Sequence, residues 1–139
     1  MSSAGLQLQK ALLKALKADA ELNDWVDGRI YDHVPSRSEF PYITFGSATG
    51  YDWSTATERG SEHLMTLQVW SRGDFRKTVF EIMDRISRVL GIAPLKLDAH
   101  ELINLNLEYT QAIAANSRDG YAGTMRYRAV TEEVSASAP

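Results

Sequence analysis

The chain contains no cysteine, which removes disulfide frameworks, thiolate metal sites and cysteine nucleophiles together. Its fold therefore rests on packing and hydrogen bonding. Long apolar runs are missing too. Over residues 1–17 the leucines and alanines are interrupted by Gln7, Gln9, Lys10, Lys14 and Lys17, so neither a signal peptide nor a membrane span is expected there, and nothing points to export or insertion. Nor does one sign of charge dominate. The 15 lysines and arginines stand against 18 acids, a formal net charge of -3, too balanced to hold a phosphate backbone or an anionic membrane. Neither sequence-specific nucleic acid nor membrane is expected as a partner. The absence of internal repeats, heptads and low-complexity segments excludes a solenoid or coiled coil.

What is present is an ordinary globular composition, 44% hydrophobic and 24% charged over 139 residues, the size of one domain. A single domain over residues 1–134 is expected, with a small polar tail, 135–139, read as disordered.

Apolar residues at Leu8, Leu12, Ala15 and Leu16 follow a cap at Ser3 with helical spacing, and Asp19 caps a second, shorter set, Leu22, Trp25 and Val26, closed by Gly28. Residues 29–40, with Pro35, read as an extended connection. Pro41 opens a strand through Tyr42, Ile43, Thr44 and Phe45, residue types suited to a pleated surface. Residues 46–61, rich in Gly, Ser and Thr, predict a mobile loop too long for a tight hairpin turn. Leu64 to Trp70 form a second, central strand. Val79, Ile82, Met83, Ile86, Val89 and Leu90 then recur at three and four residues between Asp74, a cap, and Gly91, a C-terminal glycine. That helix of about 17 residues would be roughly 25 Å long, enough to cross a small sheet. Finally Ile103, Leu105, Leu107 and Tyr109 alternate with polar residues, as do Met125, Tyr127 and Ala129, with a turn over 116–120 between them. The expected fold is α+β: a four-stranded, mainly antiparallel sheet with a long helix on one face and an N-terminal helical segment.

The search for chemistry yields little. His33, His63 and His100 are far apart, and none has a second histidine or carboxylate at helical metal-binding spacing. His63 adjoins Glu62, but neighbours in a strand point to opposite faces, so they form no dyad, and each histidine reads as a surface or strand-edge residue. Ser71-Arg72-Gly73-Asp74 has one glycine and no lysine behind it, a turn and cap rather than a phosphate loop. No Gly-x-Ser-x-Gly elbow occurs. No catalytic residue, metal ligand or cofactor is assigned, and the chain is not expected to be an enzyme.

Two groups fit protein contacts better. Arg126 and Arg128 flank Tyr127 in the last strand; alternation puts the tyrosine with Met125 and Ala129 in the core and the arginines on the other face, where acids of a neighbouring subunit could pair with them. Tyr51, Asp52 and Trp53, followed by Glu58 and Arg59, sit in the long loop, and exposed aromatics on loops are frequent interface anchors. The plainer reading is that Trp53 folds back on its own domain; for Trp70, in a strand, core is the stronger reading.

In order along the chain, a leucine-rich helix, Gly28-Arg29-Ile30-Tyr31-Asp32, Pro35, Pro41-Tyr42-Ile43, a Gly/Ser loop, Leu67-Gln68-Val69-Trp70-Ser71-Arg72, a helix ending in Leu90 and a closing hairpin around Gly120 resemble the tail-completion or tail-terminator family of long-tailed bacteriophages, prophages and gene transfer agents. The resemblance spans about residues 6–133 and is carried by order and spacing, since no single piece is specific. It implies a structural α+β subunit, without catalysis, that forms a hexameric ring on the last ring of the tail tube, halts its growth and meets the head connector. The implied partners are further copies of the chain, the tail-tube protein and the connector or stopper, in the bacterial cytoplasm during assembly and then at the head-tail junction of the virion. The candidate ring and tube contacts are Tyr51, Asp52, Trp53, Glu58, Arg59, Arg118, Asp119, Arg126 and Arg128. A head-closure or connector protein shares this profile, and a small enzyme or nucleic-acid-binding domain with a site on an open sheet face is the contrasting reading. The Ser/Thr-rich stretch 54–57 departs from the family's pattern. Arg29 and Tyr31 belong to the recurring motif, but fixing the turn after Gly28 and packing a short opening strand account for them.

Overall fold

The computed structural model describes residues 3–73, 76–114 and 120–134. Along the chain run α1 (Ala4–Ala18), α2 (Ala20–Val26), β1 (Ile30–Tyr31), β2 (Tyr42–Asp52), β3 (Gly60–Arg72), α3 (Arg76–Ile92), β4 (His100–Ala114) and β5 (Gly120–Glu133). The strands form one sheet in the order β1-β2-β3-β5-β4, with β1 parallel to β2 and every other pair antiparallel. The α+β class stands. The sheet has a fifth strand, however, because Ile30 and Tyr31 pair with Ile43 and Thr44; two residues are too few to show a sequence period.

The helices begin and end for local reasons. Ser3 Oγ accepts a hydrogen bond from the Leu6 N–H, and Asp19, extended in backbone, ends α1 and caps α2 by accepting from the Leu22 N–H at 2.9 Å. Asp27 and Gly28 both take positive φ and turn the chain out of α2. The Arg29 guanidinium reaches the Pro41, Trp25 and Phe40 carbonyls and so holds that turn against the start of β2. Asp74 lies outside the described residues. Gly91 does not close α3 as expected: the helix runs to Ile92, the Ala93 N–H still bonds the Val89 carbonyl, and Pro94 ends it.

Buried side chains of all three helices meet one face of the sheet. Leu8, Leu12 and Leu16 of α1, Leu22 and Val26 of α2, and Val79, Ile82, Met83, Ile86, Val89 and Leu90 of α3 pack on Ile43, Phe45, Met65, Leu67, Val69, Met125, Tyr127 and Ala129. Each large side chain so buried contributes about 1.5–3 kcal/mol of transfer free energy. β3 and β5 alternate as read, and burial pushes the Tyr127 phenol up to about 12. The closest approach is over Gly123, where an added Cβ would lie 2.5 Å from Val79 Cγ1 and 2.8 Å from Met83 Sδ.

Two strand expectations need correction. Residues 46–61 are not one loop: β2 continues to Asp52 and β3 starts at Gly60, with Ala48 to Asp52 paired against Met65 to Ser61, so only residues 53–59 connect them. Small residues hid this strand because it buries almost nothing and is held by its backbone ladder. In β4, Ile103, Leu107 and Tyr109 are exposed rather than buried with Leu105. Two irregularities in the pairing with β5, between Leu102 and Asn104 and between Leu107 and Tyr109, each insert an unpaired residue and reverse the alternation.

At the α1–α2 corner Asp19 also accepts from Arg85 Nε and Nη2 of α3 at 2.9 and 2.7 Å, and Glu21 lies 3.2 Å from the same guanidinium. The Arg85 hydrogen bonds hold Asp19 below its ordinary value, with the Leu22 N–H helping and burial opposing. Asp19→Ala should cost about 1–2 kcal/mol, as for a lost N-cap, in urea titration at neutral pH. Because the folded-state pKa is depressed, that difference should be full above the unfolded value of 3.8 and vanish as pH falls through the folded one. Gly123→Ala should cost about 1–3 kcal/mol by overpacking, read as a lower denaturation midpoint.

Candidate interaction surface

Because all three helices share one side, the other face of the sheet is covered by no helix among the described residues. Register places on it Tyr42, Thr44, Thr49 and Tyr51 of β2, Glu62 through Trp70 at even positions of β3, Thr124, Arg126, Arg128 and Val130 of β5, and Asn106, Tyr109 and Ile113 of β4. Trp70 therefore is not a core residue as its strand position suggested. It is half-buried on the open face, stacked on Tyr42 with centroids 6.3 Å apart, its Nε1–H donating to Thr44 Oγ1 at 3.0 Å.

Four of the sequence candidates converge. Tyr51 stands opposite Glu62 in the ladder, the Arg128 Nε–H donates to the Glu62 carboxylate, and the Arg128 guanidinium lies 5.2 Å from the centre of the Trp53 ring. Trp53 thus folds back on its own chain yet stays 48% exposed, and Tyr51 is 50% exposed. Within its own chain Arg128 pairs with Glu62. Arg126, two residues on, lies over Tyr109 at 5.4 Å, opposite it in β4. Together these residues make a band of aromatic rings and guanidinium groups across the sheet, with polar Asn, Thr and Gln side chains between them. Such composition suits a contact with protein, since aromatics and arginine are enriched among the residues that anchor interfaces.

The connection 53–59 is ordered by its own hydrogen bonds. Asp52 Oδ1 accepts from the Ser54 N–H at 2.8 Å, the Thr55 N–H donates to the Glu58 carbonyl at 2.7 Å, and the Arg59 carbonyl accepts from the Glu133 N–H at 2.8 Å. Hydrogen bonds from Ser54, with the Arg59 charge nearby, hold the Asp52 carboxyl below its usual range. Asp52, Glu58 and Arg59 are exposed. Arg118 and Asp119 lie outside the described residues, as does the tail 135–139. Sequence reasoning missed Glu62, read only as a neighbour of His63, and Tyr109, assigned to a buried face; the pairing of β3 with β5 that brings Glu62 to Arg128 joins residues sixty-six apart.

No group of three His, Asp or Glu is placed to hold a metal among the described residues. A concavity of about 670 Å³ is an open groove between Phe40, Pro41, Ser71, Arg72 and Thr78, and Arg72 lies over the Phe40 ring at 4.9 Å. His63 is buried, not a surface residue: register sends it to the helix side, where its Nε2 meets Thr131 Oγ1 at 2.9 Å and its Nδ1 faces Gly5 and Gly50. Glu62 points the other way, as the alternation required. Burial, with His100 nearby, pushes the His63 pKa below 6.5. The unfolded chain then binds the extra proton first, so stability should be level above about pH 6.5 and fall as pH drops below it. His63→Gln should flatten that slope, measured by urea titration between about pH 7.5 and 5.

By comparison of folds, the chain is similar to a chain of the virion of native gene transfer agent (GTA) particle, with a TM-score of 0.85 and 27% identity over 94% of this chain and 99% of that one. It is also similar in fold to the bacteriophage SPP1 gp17 protein, with a TM-score of 0.58 and 20% identity over 98% of this chain and 94% of that one. No curated protein matches it. The family model described as tail completion protein gp17 matches residues 10–132, nearly the whole length, and the chain belongs to that family.

Proposed function

We propose that this chain is a structural subunit of a phage or gene-transfer-agent virion that assembles as a hexameric ring at the head-proximal end of the tail. The ring stops growth of the tail tube and joins the tail to the head connector. The observation that carries this reading is the end-to-end correspondence with a chain of a gene transfer agent virion, over 94% and 99% of the two lengths. A protein with that role needs surfaces and not a pocket, and the built feature of the open face is the band of Tyr51, Trp53, Arg128, Arg126 and Tyr109. Its partners are other copies of itself, the tail-tube protein and the connector or stopper. Assembly takes place in the bacterial cytoplasm and the product stays at the head-tail junction. We assign the tube contact to the aromatic end of the band, with Asp52, Glu58 and Arg59 at its rim.

Light scattering coupled to size exclusion, with and without tubes of the tail-tube protein, should give a closed ring of six subunits or tubes capped at one end in negative stain. A chain that stays monomeric and leaves tubes uncapped overturns the reading. Trp53→Ala should weaken capping about tenfold or more, as for an interface anchor worth at least 1.4 kcal/mol, while lowering the denaturation midpoint of the free chain only slightly, because Trp53 lies outside the core cluster and its contact with Arg128 is half exposed.

A further inference from the structure

The sheet ends in two unlike open edges. β4 is an edge strand of 15 residues, and the far side of β2 is open beyond Thr44, because β1 pairs only with Ile43 and Thr44. An open edge presents unpaired N–H and C=O groups, and proteins that stay monomeric usually guard such edges with lysine, proline or bulges. Each edge has such bulges, but neither is guarded beyond them. β4 has no lysine, arginine or proline, and its two bulges lie before Tyr109, leaving residues 109–114, Tyr-Thr-Gln-Ala-Ile-Ala, regular and uncharged. The bulge of β2 lies between Phe45 and Ala48; residues 48–52 beyond it, Ala-Thr-Gly-Tyr-Asp, are regular and exposed, and Ala48, Thr49 and Gly50 leave a backbone close to any strand that approaches.

We infer that the open edge of β2 receives the β4 edge of a second copy of this chain, so that the sheet continues from one subunit to the next. The inference rests on the ring reading and names the contact that would build the ring. Its occupant follows from topology. The pairs β2–β3, β3–β5 and β5–β4 are all antiparallel, so β4 runs opposite to β2, and a copy set beside the first without being turned over meets it as an antiparallel strand. The two edges lie at opposite ends of one sheet and cannot meet within one molecule. Each subunit gives one edge and receives one, the head-to-tail contact that closes into a ring.

Side chains on both faces fit the same arrangement. On the helix side the β2 edge is flanked by a mainly apolar groove of about 380 Å³, where Leu6, Ala48 and Met65 stand beside Gln9 and His63. Leu6 is 46% exposed there, and on β4 Ala112, opposite Gly123, is on the helix side. With Gln111 opposite Tyr51, the incoming Ala112 lies over the groove at Gly50 and covers Leu6. On the open face Tyr109 and Ile113 of the incoming strand lie beside Tyr51, extending the aromatic band from one subunit to the next.

The cysteine-free chain permits a direct test. Thr49→Cys, on the open face of β2, is combined in turn with Tyr109→Cys, Gln111→Cys and Ile113→Cys, on the open face of β4, and the chains are oxidised in the presence of tail-tube protein. At least one pair should give a ladder of multiples on a non-reducing gel, while Thr49→Cys with Lys77→Cys, on α3, should give none. In the unaltered chain, amides of residues 48–52 and 109–114 should exchange about tenfold or more slowly once assembled, as newly paired strands do. A ring that forms without a ladder in any register and without that protection overturns the edge pairing and leaves the ring reading standing. Failure of the unaltered chain to assemble overturns both.

Discussion

Everything in this structure is arranged around the seat of α3 on β5 at Gly123. The missing side chain lets Val79 and Met83 come down onto the strand backbone, and from that point the helix covers Leu67, Met125 and Tyr127 while α1 and α2 fill the remainder of the same side. A sheet of five strands has two faces, and an amphipathic helix packed so closely on one of them concentrates the apolar surface there. The opposite face is thereby left to residues that tolerate water, and the strands that lie beyond the helix are left with open edges. The surface proposed for contact with other proteins follows from the way the core is built.

The polar contacts divide along the same line. On the helix side they fasten elements to one another: Asp19 joins α1, α2 and α3 through Arg85, and His63 meets Thr131 between β3 and β5. These groups are partly shielded from solvent, and their removal leaves a partner unsatisfied. On the open side the charged and aromatic groups are only loosely covered. Arg128 is shared between the Glu62 carboxylate and the Trp53 ring, so it is oriented without being consumed, and Arg126 lies against a half-exposed Tyr109. Oriented side chains of this kind lose less entropy on meeting a partner than free ones, which is the physical basis for assigning the band to assembly.

Much of the fold was legible in the sequence, and the exceptions have a common cause. The helices showed their spacing and caps, Asp19 above all, because a helix places its signals within a few residues. β3 and β5 showed their alternation because one face of each is buried. The second half of β2 did not: Gly46 to Gly50 bury nothing, and a strand held by its backbone ladder alone leaves no hydrophobic period. β4 misled in the opposite direction, since its alternation of Ile103, Leu105, Leu107 and Tyr109 was real, but two bulges turned part of it to solvent. Trp70 was assigned to the core because tryptophan usually is, whereas its register with Thr44 and Tyr42 puts it on the open face.

By itself the sequence determined the α+β class, the three helical segments, the alternation of the central strands and, through the order of its motifs, the family. These are properties of neighbours along the chain, or of an order that survives when individual residues change. Only the tertiary structure decided which face of the sheet lies open, that Arg128 meets Glu62 and Trp53, that His63 is buried, and that β4 and the outer part of β2 present open edges among the described residues. Each depends on strand pairing between segments tens of residues apart, and pairing is fixed by the packing of the whole core rather than by any local signal.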